Sequence, residues 1–330
     1  IAMCFANAGV PVVLLETKQE FLDRGMGVIR KNYATSVKRG RFTEAQVDGF
    51  LTNLSGTTDY ADIADVDMVI EAVFENMDVK KEVFAKLDAT CKPGCVLATN
   101  TSYLDVDEIA AVTRRPQQVI GAHFFSPANV MKLLEVVRAE KTSPEVLQTL
   151  MKTARKIGKI PVAVGVCQGF VGNRMLTGYA RQAQLLLLEG ASPEQVDGAM
   201  ESWGMAMGPI AVGDLAGLDI GYRSRRDRGI ESRSVKESTL ADTLVEMERL
   251  GQKAGAGYYR YDPDTRKRQP DAEVVALIEE IAAQWKVERR DIRAEEIVDR
   301  LVLALVNEGA AILQEGIAAR PSDIDIVYLN

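Results

Sequence analysis

Short apolar runs alternate with amphipathic segments over the first half of the chain. The apolar runs have the length of buried strands and lie at 11–16, 65–73, 94–102, 119–123, 132–137 and 160–164. Segments with helical spacing of apolar residues lie between them, the clearest at 18–38, 77–87 and 105–111. Strands that alternate with helices predict a doubly wound parallel sheet with helices on both faces.

Local sequence signals mark where two of these helices begin. Thr43 is followed three residues later by Gln46, which is the spacing of a capping box. Ser143 precedes Pro144, and a serine cap followed by proline in the first turn is a common helix start. We therefore expect one helix to begin directly after Thr43 and another directly after Ser143.

The second half of the chain has helical periodicity almost throughout. The predicted helices lie at 169–189, 193–203, 210 onward, 241–250, 272–283 and 294–315. The change of pattern near residue 165 predicts a domain boundary. The chain is therefore interpreted as an α/β domain over 1–165, followed by an all-α region.

The all-α region contains an internal repeat. Segment 173–190, which begins Asn-Arg and ends Glu-Gly, recurs 126 positions later as segment 299–316, which begins Asp-Arg and ends Glu-Gly. The repeat divides the region into a first copy at 166–262 and a second copy at 263–330. Two related helical units can pack on each other as an intramolecular pseudo-dimer. The second copy stops early, so we expect the chain to be cut at this end.

Polar residues stand at the predicted carboxyl ends of four strands. They are Glu16, Glu75, Ser102 and His123. Ligands of doubly wound sheets bind in the crevice outside these carboxyl ends. We therefore expect the four side chains to belong to one functional site.

His123 is the only histidine of the chain, and Glu135 lies twelve residues later inside the next apolar run. If the two runs lie side by side, the imidazole and the carboxylate come within reach of each other. A histidine oriented by a half-buried carboxylate can act as a general base at neutral pH. A buried histidine that is satisfied by a carboxylate for structural reasons alone is the alternative interpretation.

The first sixteen residues have the pattern of the second half of a β-α-β dinucleotide-binding unit. A helix-like segment at 1–8 is followed by Gly9 and by a strand that ends in Glu16. In such units this acid accepts hydrogen bonds from the adenosine ribose, ~20 residues after the glycine loop that holds the pyrophosphate. We expect that loop and the first strand to precede Ile1. An acid here, with no basic cluster, favours NAD over NADP.

Composition excludes several function classes. The net charge of −7 argues against a nucleic-acid surface, which would be basic. No apolar run approaches the ~20 residues of a membrane span. The four cysteines have neither the spacing of a zinc site nor that of a secreted disulfide framework. We therefore expect free thiols in a reducing compartment and no metal site.

Several motifs make the sequence similar to 3-hydroxyacyl-CoA dehydrogenases over essentially all of its length. The motifs are Glu71-Ala-Val-Phe-Glu-Asn, Thr99-Asn-Thr-Ser, Gly121-Ala-His-Phe-Phe-Ser-Pro, Leu133-Leu-Glu-Val-Val, Gly169-Phe-Val-Gly-Asn-Arg, Gly213-Asp-Leu-Ala-Gly-Leu-Asp and Gly251-Gln-Lys-Ala-Gly-Ala-Gly-Tyr-Tyr. The sequence resembles the dehydrogenase part of bacterial multifunctional enzymes of fatty-acid β-oxidation, which also carry an enoyl-CoA hydratase and are similar to the peroxisomal bifunctional hydratase/dehydrogenase.

The resemblance implies a fold and an activity. It implies a Rossmann-type domain followed by a helical domain like that of 6-phosphogluconate dehydrogenase. It also implies NAD-dependent oxidation of (S)-3-hydroxyacyl-CoA to 3-oxoacyl-CoA. A bacterial cytoplasmic location and a thiolase partner subunit for the parent enzyme are further expectations.

The same resemblance implies roles for individual residues. His123 takes the proton from the 3-hydroxyl of the substrate. Glu135 orients the imidazole and stabilises its charged form. Ser102 and Asn173 hydrogen-bond the reacting oxygens, and Glu16 holds the adenosine ribose. The other residues implied to line the cofactor, together with Ser102, are Val73, Phe74, Glu75, Lys80 and Ser126.

Three further features have ordinary explanations beside functional ones. Lys38, at a predicted helix end, could meet the phosphates of coenzyme A or be a solvated basic residue. Arg223–Arg228 is interpreted as a solvated loop. Tyr258 and Tyr259 are expected to pack between the helical units.

Two other function classes share parts of this pattern. Dehydrogenases of small free hydroxy acids resemble this fold but use a lysine where the chain has His123 and Glu135. A non-catalytic NAD-binding relative would not need these two residues together with Ser102 and Asn173.

Overall fold

Seven strands form the core of the first half of the chain; the alternating pattern predicts six of them but not Leu54–Thr57. The computed structural model describes residues 1–330. The strands are β1 (Val12–Leu15), β2 (Leu54–Thr57), β3 (Met68–Glu71), β4 (Val96–Thr99), β5 (Val119–Phe124), β6 (Leu133–Arg138) and β7 (Ile160–Gly165). The helices that accompany them are α1 (Ala2–Asn7), α2 (Gln19–Lys38), α3 (Glu44–Leu51), α4 (Met77–Thr90), α5 (Val106–Ala111) and α6 (Pro144–Lys156).

The strands are arranged as a Rossmann-like sheet in two parts. β1 pairs with β2 in parallel, and β3 to β7 form a five-stranded sheet in chain order. All pairs are parallel except β5 with β6. That pair is antiparallel because residues 125–132 are too few for a crossover, which takes a dozen residues or more.

β1 and β3 each have one open edge. β1 pairs only with β2, and β3 pairs only with β4. The doubly wound order places a central strand between these two positions, and this chain supplies none. Both parts of the sheet nevertheless share a core, because Val12, Met68 and Ile70 pack against the same buried cluster.

Both predicted helix starts are confirmed. The Thr43 hydroxyl accepts from the Gln46 amide, and the Gln46 side chain accepts from the Thr43 N–H, which makes the capping box. The Ser143 hydroxyl accepts from the Val146 amide, with Pro144 in the first turn of α6.

The second half of the chain is helical. Its helices are α7 (Gly172–Glu189), α8 (Pro193–Trp203), α9 (Pro209–Ala216), α10 (Leu218–Asp227), α11 (Lys236–Glu246), α12 (Ala272–Gln284), α13 (Ala294–Gln314) and α14 (Pro321–Leu329). A short hairpin of β8 (Arg260–Tyr261) and β9 (Arg268–Gln269) interrupts them. The interpretation of Arg223–Arg228 as a loop was wrong, since α10 contains all of it except Arg228.

The chain divides into two compact units. One comprises Ile1–Asn173 with Ile312–Asn330, and the other comprises Arg174–Ala311. In the first unit the end of the chain returns to β7, where the Gly165 amide donates to the Ile317 carbonyl at 2.7 Å.

Two buried carboxylates organise the core of the second unit. Asp197 accepts from the first amides of α9 and from the Tyr259 hydroxyl. Asp214 accepts from the amides of Tyr258 and Tyr259 and from the Tyr261 hydroxyl. Burial raises the pKa of both carboxyls above their ordinary value, although these hydrogen bonds oppose the rise.

Helices α7 and α13 of the second unit make reciprocal contacts. Arg174 Nε donates to Glu308 Oε1 at 2.5 Å. Arg300, which lies 126 positions after Arg174, donates from Nη2 to Gln182 Oε1 at 3.1 Å. Gln182 and Glu308 are also 126 positions apart. Arg174 therefore corresponds to Arg300 in the repeat, and Glu308, the partner of Arg174, corresponds to Gln182, the partner of Arg300.

Candidate active site

His123 and Glu135 form a buried pair on neighbouring strands. They are directly opposite each other in the antiparallel register of β5 and β6. His123 Nδ1 lies 2.7 Å from Glu135 Oε2, and both side chains are buried. Two residues before His123, Gly121 faces Val137, where a Cβ would lie 2.6 Å from the Val137 Cβ. Glycine therefore lets β5 approach β6 closely beside the pair.

The second oxygen of Glu135 binds the start of α7. Glu135 Oε1 accepts from the Val171 amide at 3.0 Å and from the Gly172 amide at 2.8 Å. A carboxylate is stabilised at a helix N-terminus, where amides without partners and the helix dipole both favour negative charge. Because Asn173 follows Gly172 directly, Glu135 fixes the imidazole and the backbone beside Asn173 together.

The hydrogen bond to Glu135 defines the chemistry that His123 can perform. A carboxylate accepts, so Nδ1 carries the proton and Nε2 keeps its lone pair. The rings of Phe125 and Phe170 lie 4.5 Å and 5.6 Å from the imidazole ring and restrict its orientation. Nε2 can therefore accept a proton, and the imidazolium that results is stabilised by Glu135.

Glu75 holds the turn that carries Ser102. Its Oε1 accepts from the Thr101 hydroxyl at 2.5 Å, from the Ser102 amide at 2.7 Å and from the Tyr103 amide at 3.0 Å. The turn follows β4, whose neighbours are β3 and β5. Glu75 and Ser102 therefore come after two adjacent strands, and His123 lies at the carboxyl end of a third. That these side chains belong to one functional site remains a prediction.

A buried ion pair lies beneath Glu75. Lys80 Nζ is 2.7 Å from Glu71 Oε1 and 3.4 Å from Glu75 Oε2. Glu71 also accepts from the Thr99 hydroxyl at 2.7 Å. The side chains of Lys80 and Glu71 are each 1 % exposed.

The residues present fit the two ends of a dinucleotide. Glu16 is exposed at the end of β1, where its carboxylate accepts from the Thr17 amide at 3.2 Å and has capacity for further donors such as ribose hydroxyls. Val73 and Phe74, after β3, are 39 % and 87 % exposed. Apolar side chains left bare at a strand end suit the flat face of a cofactor ring.

Ser126 and Lys38 lie in exposed positions. Ser126 lies in the loop at 125–132 between β5 and β6, and its peptide bond to Pro127 is cis. Buried Lys159 holds this loop by donating to the Met131 carbonyl at 2.6 Å and to the Ala128 carbonyl. Lys38 is the last residue of α2, and no hydrogen bond or ion pair joins it to His123 or Glu135.

Several structural partners of these residues were not identified from the sequence. They are Glu71, Thr99, Thr101, Lys159 and the amides of Val171 and Gly172. Glu71 offered a signal, since it is the only acid within the apolar run 68–74. Backbone amides and buried lysines carry no such signal, because their partners depend on the fold.

The chain matches two family models in sequence. Residues 1–167 match the model described as 3-hydroxyacyl-CoA dehydrogenase, NAD binding domain, and residues 169–261 match the corresponding C-terminal domain. The chain is 44% identical to the peroxisomal bifunctional enzyme of Cavia porcellus, covering 100% of this chain and 47% of the relative. It is 37% identical to the fatty acid oxidation complex subunit alpha of Psychrobacter cryohalolentis, covering 100% of this chain and 46% of the relative.

Solved structures show the same likeness. The crystal structure of FadB2 from M. tuberculosis has a TM-score of 0.72 with this chain at 34% identity, covering 79% of this chain and 94% of that one. The chain spans about half the length of the curated relatives named above.

Proposed function

Since the chain belongs to the 3-hydroxyacyl-CoA dehydrogenase family, we propose that it oxidises (S)-3-hydroxyacyl-CoA to 3-oxoacyl-CoA with NAD. The observation that carries the proposal is the buried pair of His123 and Glu135, at 2.7 Å. A general base oriented by a carboxylate is the group that oxidation of an alcohol requires of the protein.

His123 Nε2 accepts the proton of the 3-hydroxyl, and Glu135 stabilises the imidazolium. NAD, when bound, supplies the hydride acceptor. The Ser102 hydroxyl and the Asn173 amide hydrogen-bond the reacting oxygen, which alternates between alcohol and ketone. The contacts of Glu75 with the Ser102 turn, and of Glu135 with the residues before Asn173, support these roles.

The cofactor is assigned to the exposed groups at the carboxyl ends of the strands. Glu16 accepts from the adenosine ribose hydroxyls, and its charge disfavours a 2′-phosphate. Val73, Phe74 and Glu75 face the cofactor, and Ser126 lies near its nicotinamide. Lys80 belongs to the same set of residues by resemblance. Lys38 is assigned to the phosphates of coenzyme A, which its exposure at the end of α2 permits.

We further propose that the helical copies at 166–262 and 263–330, beyond the cofactor domain at 1–165, form an intramolecular pseudo-dimer. The contacts of Arg174 with Glu308 and of Arg300 with Gln182 support it. In a two-fold interface, each residue of one unit contacts the same residue of the other unit as its counterpart does. The two copies also share one hydrophobic core, to which α7, α12 and α13 all contribute.

The parent enzyme is proposed to carry an enoyl-CoA hydratase and to assemble with a thiolase. The names of its relatives, a bifunctional enzyme and a complex subunit, support this. A bacterial cytoplasmic location is likewise a proposal, with a peroxisome as the alternative because relatives carry peroxisomal names. Four free cysteines suit a reducing compartment. None of the helices is long and apolar enough to span a membrane.

The function is tested by following NADH formation with (S)-3-hydroxybutyryl-CoA and with free 3-hydroxybutyrate. We expect turnover of the thioester and little of the free acid. His123→Gln should reduce turnover by orders of magnitude and leave NAD affinity nearly unchanged, because the imidazole acts on the substrate oxygen. A variant that keeps more than about a tenth of the turnover would refute the assignment of the base.

A further inference from the structure

The C-terminal segment of the chain returns to the start of α7, beside the proposed active site. The Gly165 amide donates to the Ile317 carbonyl, and Val164 forms an antiparallel bridge with Ala318. These contacts fix the turn before α14 against the end of β7. α14 belongs to the second helical copy, yet it lies in the same compact unit as the histidine–carboxylate pair.

Gly172 is enclosed by a side chain on each of two sides. A Cβ placed on Gly172 would lie 3.1 Å from Phe125 Cζ and 3.4 Å from Val327 Cγ1. Val327 is a buried residue of α14, and the hydroxyl of Tyr328, the next residue, donates a long hydrogen bond of 3.5 Å to the Gly172 carbonyl. The backbone of Gly172 therefore fits between the Phe125 ring and α14.

This segment of backbone carries an amide that orients Glu135. The Gly172 N–H donates to Glu135 Oε1 at 2.8 Å, and Glu135 Oε2 lies 2.7 Å from His123 Nδ1. On the other side of Gly172, the Phe125 ring lies 4.5 Å from the imidazole ring. α14 is thus the outer support of a series of contacts that ends at the proposed base.

The internal repeat supplies a comparison within the same chain. α8 and α13 correspond to α14 and α7, so Ala199 is the counterpart of Val327, and Val298 is the counterpart of Gly172. Ala199 and Val298 line an open groove of about 740 Å³. This helix junction is therefore packed closely beside the proposed base and is open in the unit that has no histidine.

We propose that Val327 is a positioning residue, through which α14 of the second copy holds Gly172 and thereby sets the orientation of Glu135. The second copy then supports the active site of the first and does more than stabilise the fold. The inference rests on the proposed function for its effect on turnover, and on the contacts alone for its effect on Gly172.

The test shortens the side chain of Val327. Val327→Ala removes two methyl groups on the α14 side of Gly172. Val47→Ala is the matched control, because Val47 is also a buried valine of the first unit and packs in a different cluster, with Tyr33 and Leu54. Both variants lose the same side-chain atoms, so a general loss of stability affects them alike. Val327→Cys, a smaller reduction, takes the place of Val327→Ala if that variant does not fold.

Three measurements are made on the full chain. Hydrogen–deuterium exchange reports the amides of Val171 and Gly172, both of which donate to Glu135. Steady-state kinetics at saturating NAD report kcat, and a titration reports NAD affinity. In Val327→Ala we expect faster exchange at both amides and a kcat lower by on the order of tenfold, which corresponds to about 1.4 kcal/mol, the size of one hydrogen bond. NAD affinity should change by less than about twofold, and Val47→Ala should keep the exchange and the kcat of the wild type.

A double variant shows whether the effect passes through Glu135. If Val327 acts by orienting this carboxylate, Val327→Ala should lower kcat by less than about twofold when Glu135 is already replaced by glutamine. A full tenfold loss in that background would show that Val327 acts by another route, and the inference would be overturned.

Two other outcomes would also overturn the inference. A lower melting temperature with unchanged exchange and kcat would make Val327 a structural residue only. Equal losses of kcat in Val327→Ala and Val47→Ala would show that turnover follows general stability. Absence of NADH formation in the wild type would contradict the proposed function instead, and exchange at Val171 and Gly172 would then decide the positioning role.

Discussion

Replacing Glu135 by glutamine tests the chemistry of the site with the smallest change of shape. The carboxylate accepts three hydrogen bonds, one from His123 Nδ1 and two from the amides of Val171 and Gly172. A glutamine has one accepting oxygen and one donating NH₂ group. It can therefore satisfy the imidazole or the two amides, but not both.

The two orientations of the new side chain have different consequences for His123. If the amide oxygen faces Val171 and Gly172, the NH₂ group faces Nδ1, which must then give up its proton. The proton moves to Nε2, and the base becomes a donor. In the reverse orientation Nε2 stays a base, but the two buried N–H groups face another donor.

The energies of these orientations give the size of the effect. Each buried N–H left without an acceptor costs about 1–3 kcal/mol, so the active orientation is disfavoured by roughly 2–6 kcal/mol. At about 1.4 kcal/mol per factor of ten, the active population falls by roughly 30-fold to 10⁴-fold. Loss of the negative charge beside the imidazolium lowers turnover further.

The assay for Glu135→Gln is kcat for NADH formation at saturating NAD, with NAD affinity measured by titration. We expect kcat to fall by roughly 30-fold or more. NAD affinity and the far-ultraviolet circular dichroism spectrum should stay close to those of the wild type. A kcat within a factor of about three of the wild type would refute the reasoning and make Glu135 a structural residue.

Three further predictions address the rest of the fold. Arg300→Met should destabilise the second unit by about 1–3 kcal/mol in denaturant unfolding, since Arg300 pairs with Glu189 and bonds Gln182. Arg320→Met, which removes an exposed arginine paired with Asp323, should have a much smaller effect, and equal effects would contradict the importance of the α7–α13 contacts. Because burial raises the pKa of Asp214, the folded state binds its proton more tightly than the unfolded chain does, so this contribution to stability is full below an ordinary aspartate pKa and is lost as pH rises through the folded value. The stability advantage of the wild type over Asp214→Asn should thus shrink with rising pH, and growth would show the sign to be wrong. A chain extended before α1 by a strand and a glycine-rich loop should bind NAD far more tightly than this chain, since the loop supplies amides for the pyrophosphate and the strand fits between β1 and β3; equal affinities by calorimetry would show that the open edges have no bearing on the cofactor.

The sequence predicted those parts of the fold whose signal is local. The capping box at Thr43 and the serine cap at Ser143 depend on residues three positions apart or fewer, and both are present. The pairing of His123 with Glu135 followed from two adjacent apolar runs with a short connection. The roles of these residues in catalysis remain predictions.

Other features depend on tertiary contacts that leave no pattern in the sequence. β2 was missed because Leu54-Ser-Gly-Thr57 contains one strongly apolar residue and pairs with β1 through its backbone. The segment 223–228, most of which lies in α10, was taken for a loop because it is rich in arginine. The buried Leu218 and the ion pair of Arg225 with Asp242 hold that segment as a helix, and neither is visible from composition.

The reciprocal contacts of α7 and α13 have a consequence for how this molecule can evolve. In a homodimer of identical chains, a substitution at a two-fold interface is expressed at both symmetry-related positions at once. In a tandem repeat it is expressed once, so each half of the interface can diverge alone. Arg174 meets a glutamate, whereas Arg300 meets a glutamine and takes its charge partner from Glu189. The two corresponding contacts therefore differ in charge, which two positions of one chain permit and two identical chains would not.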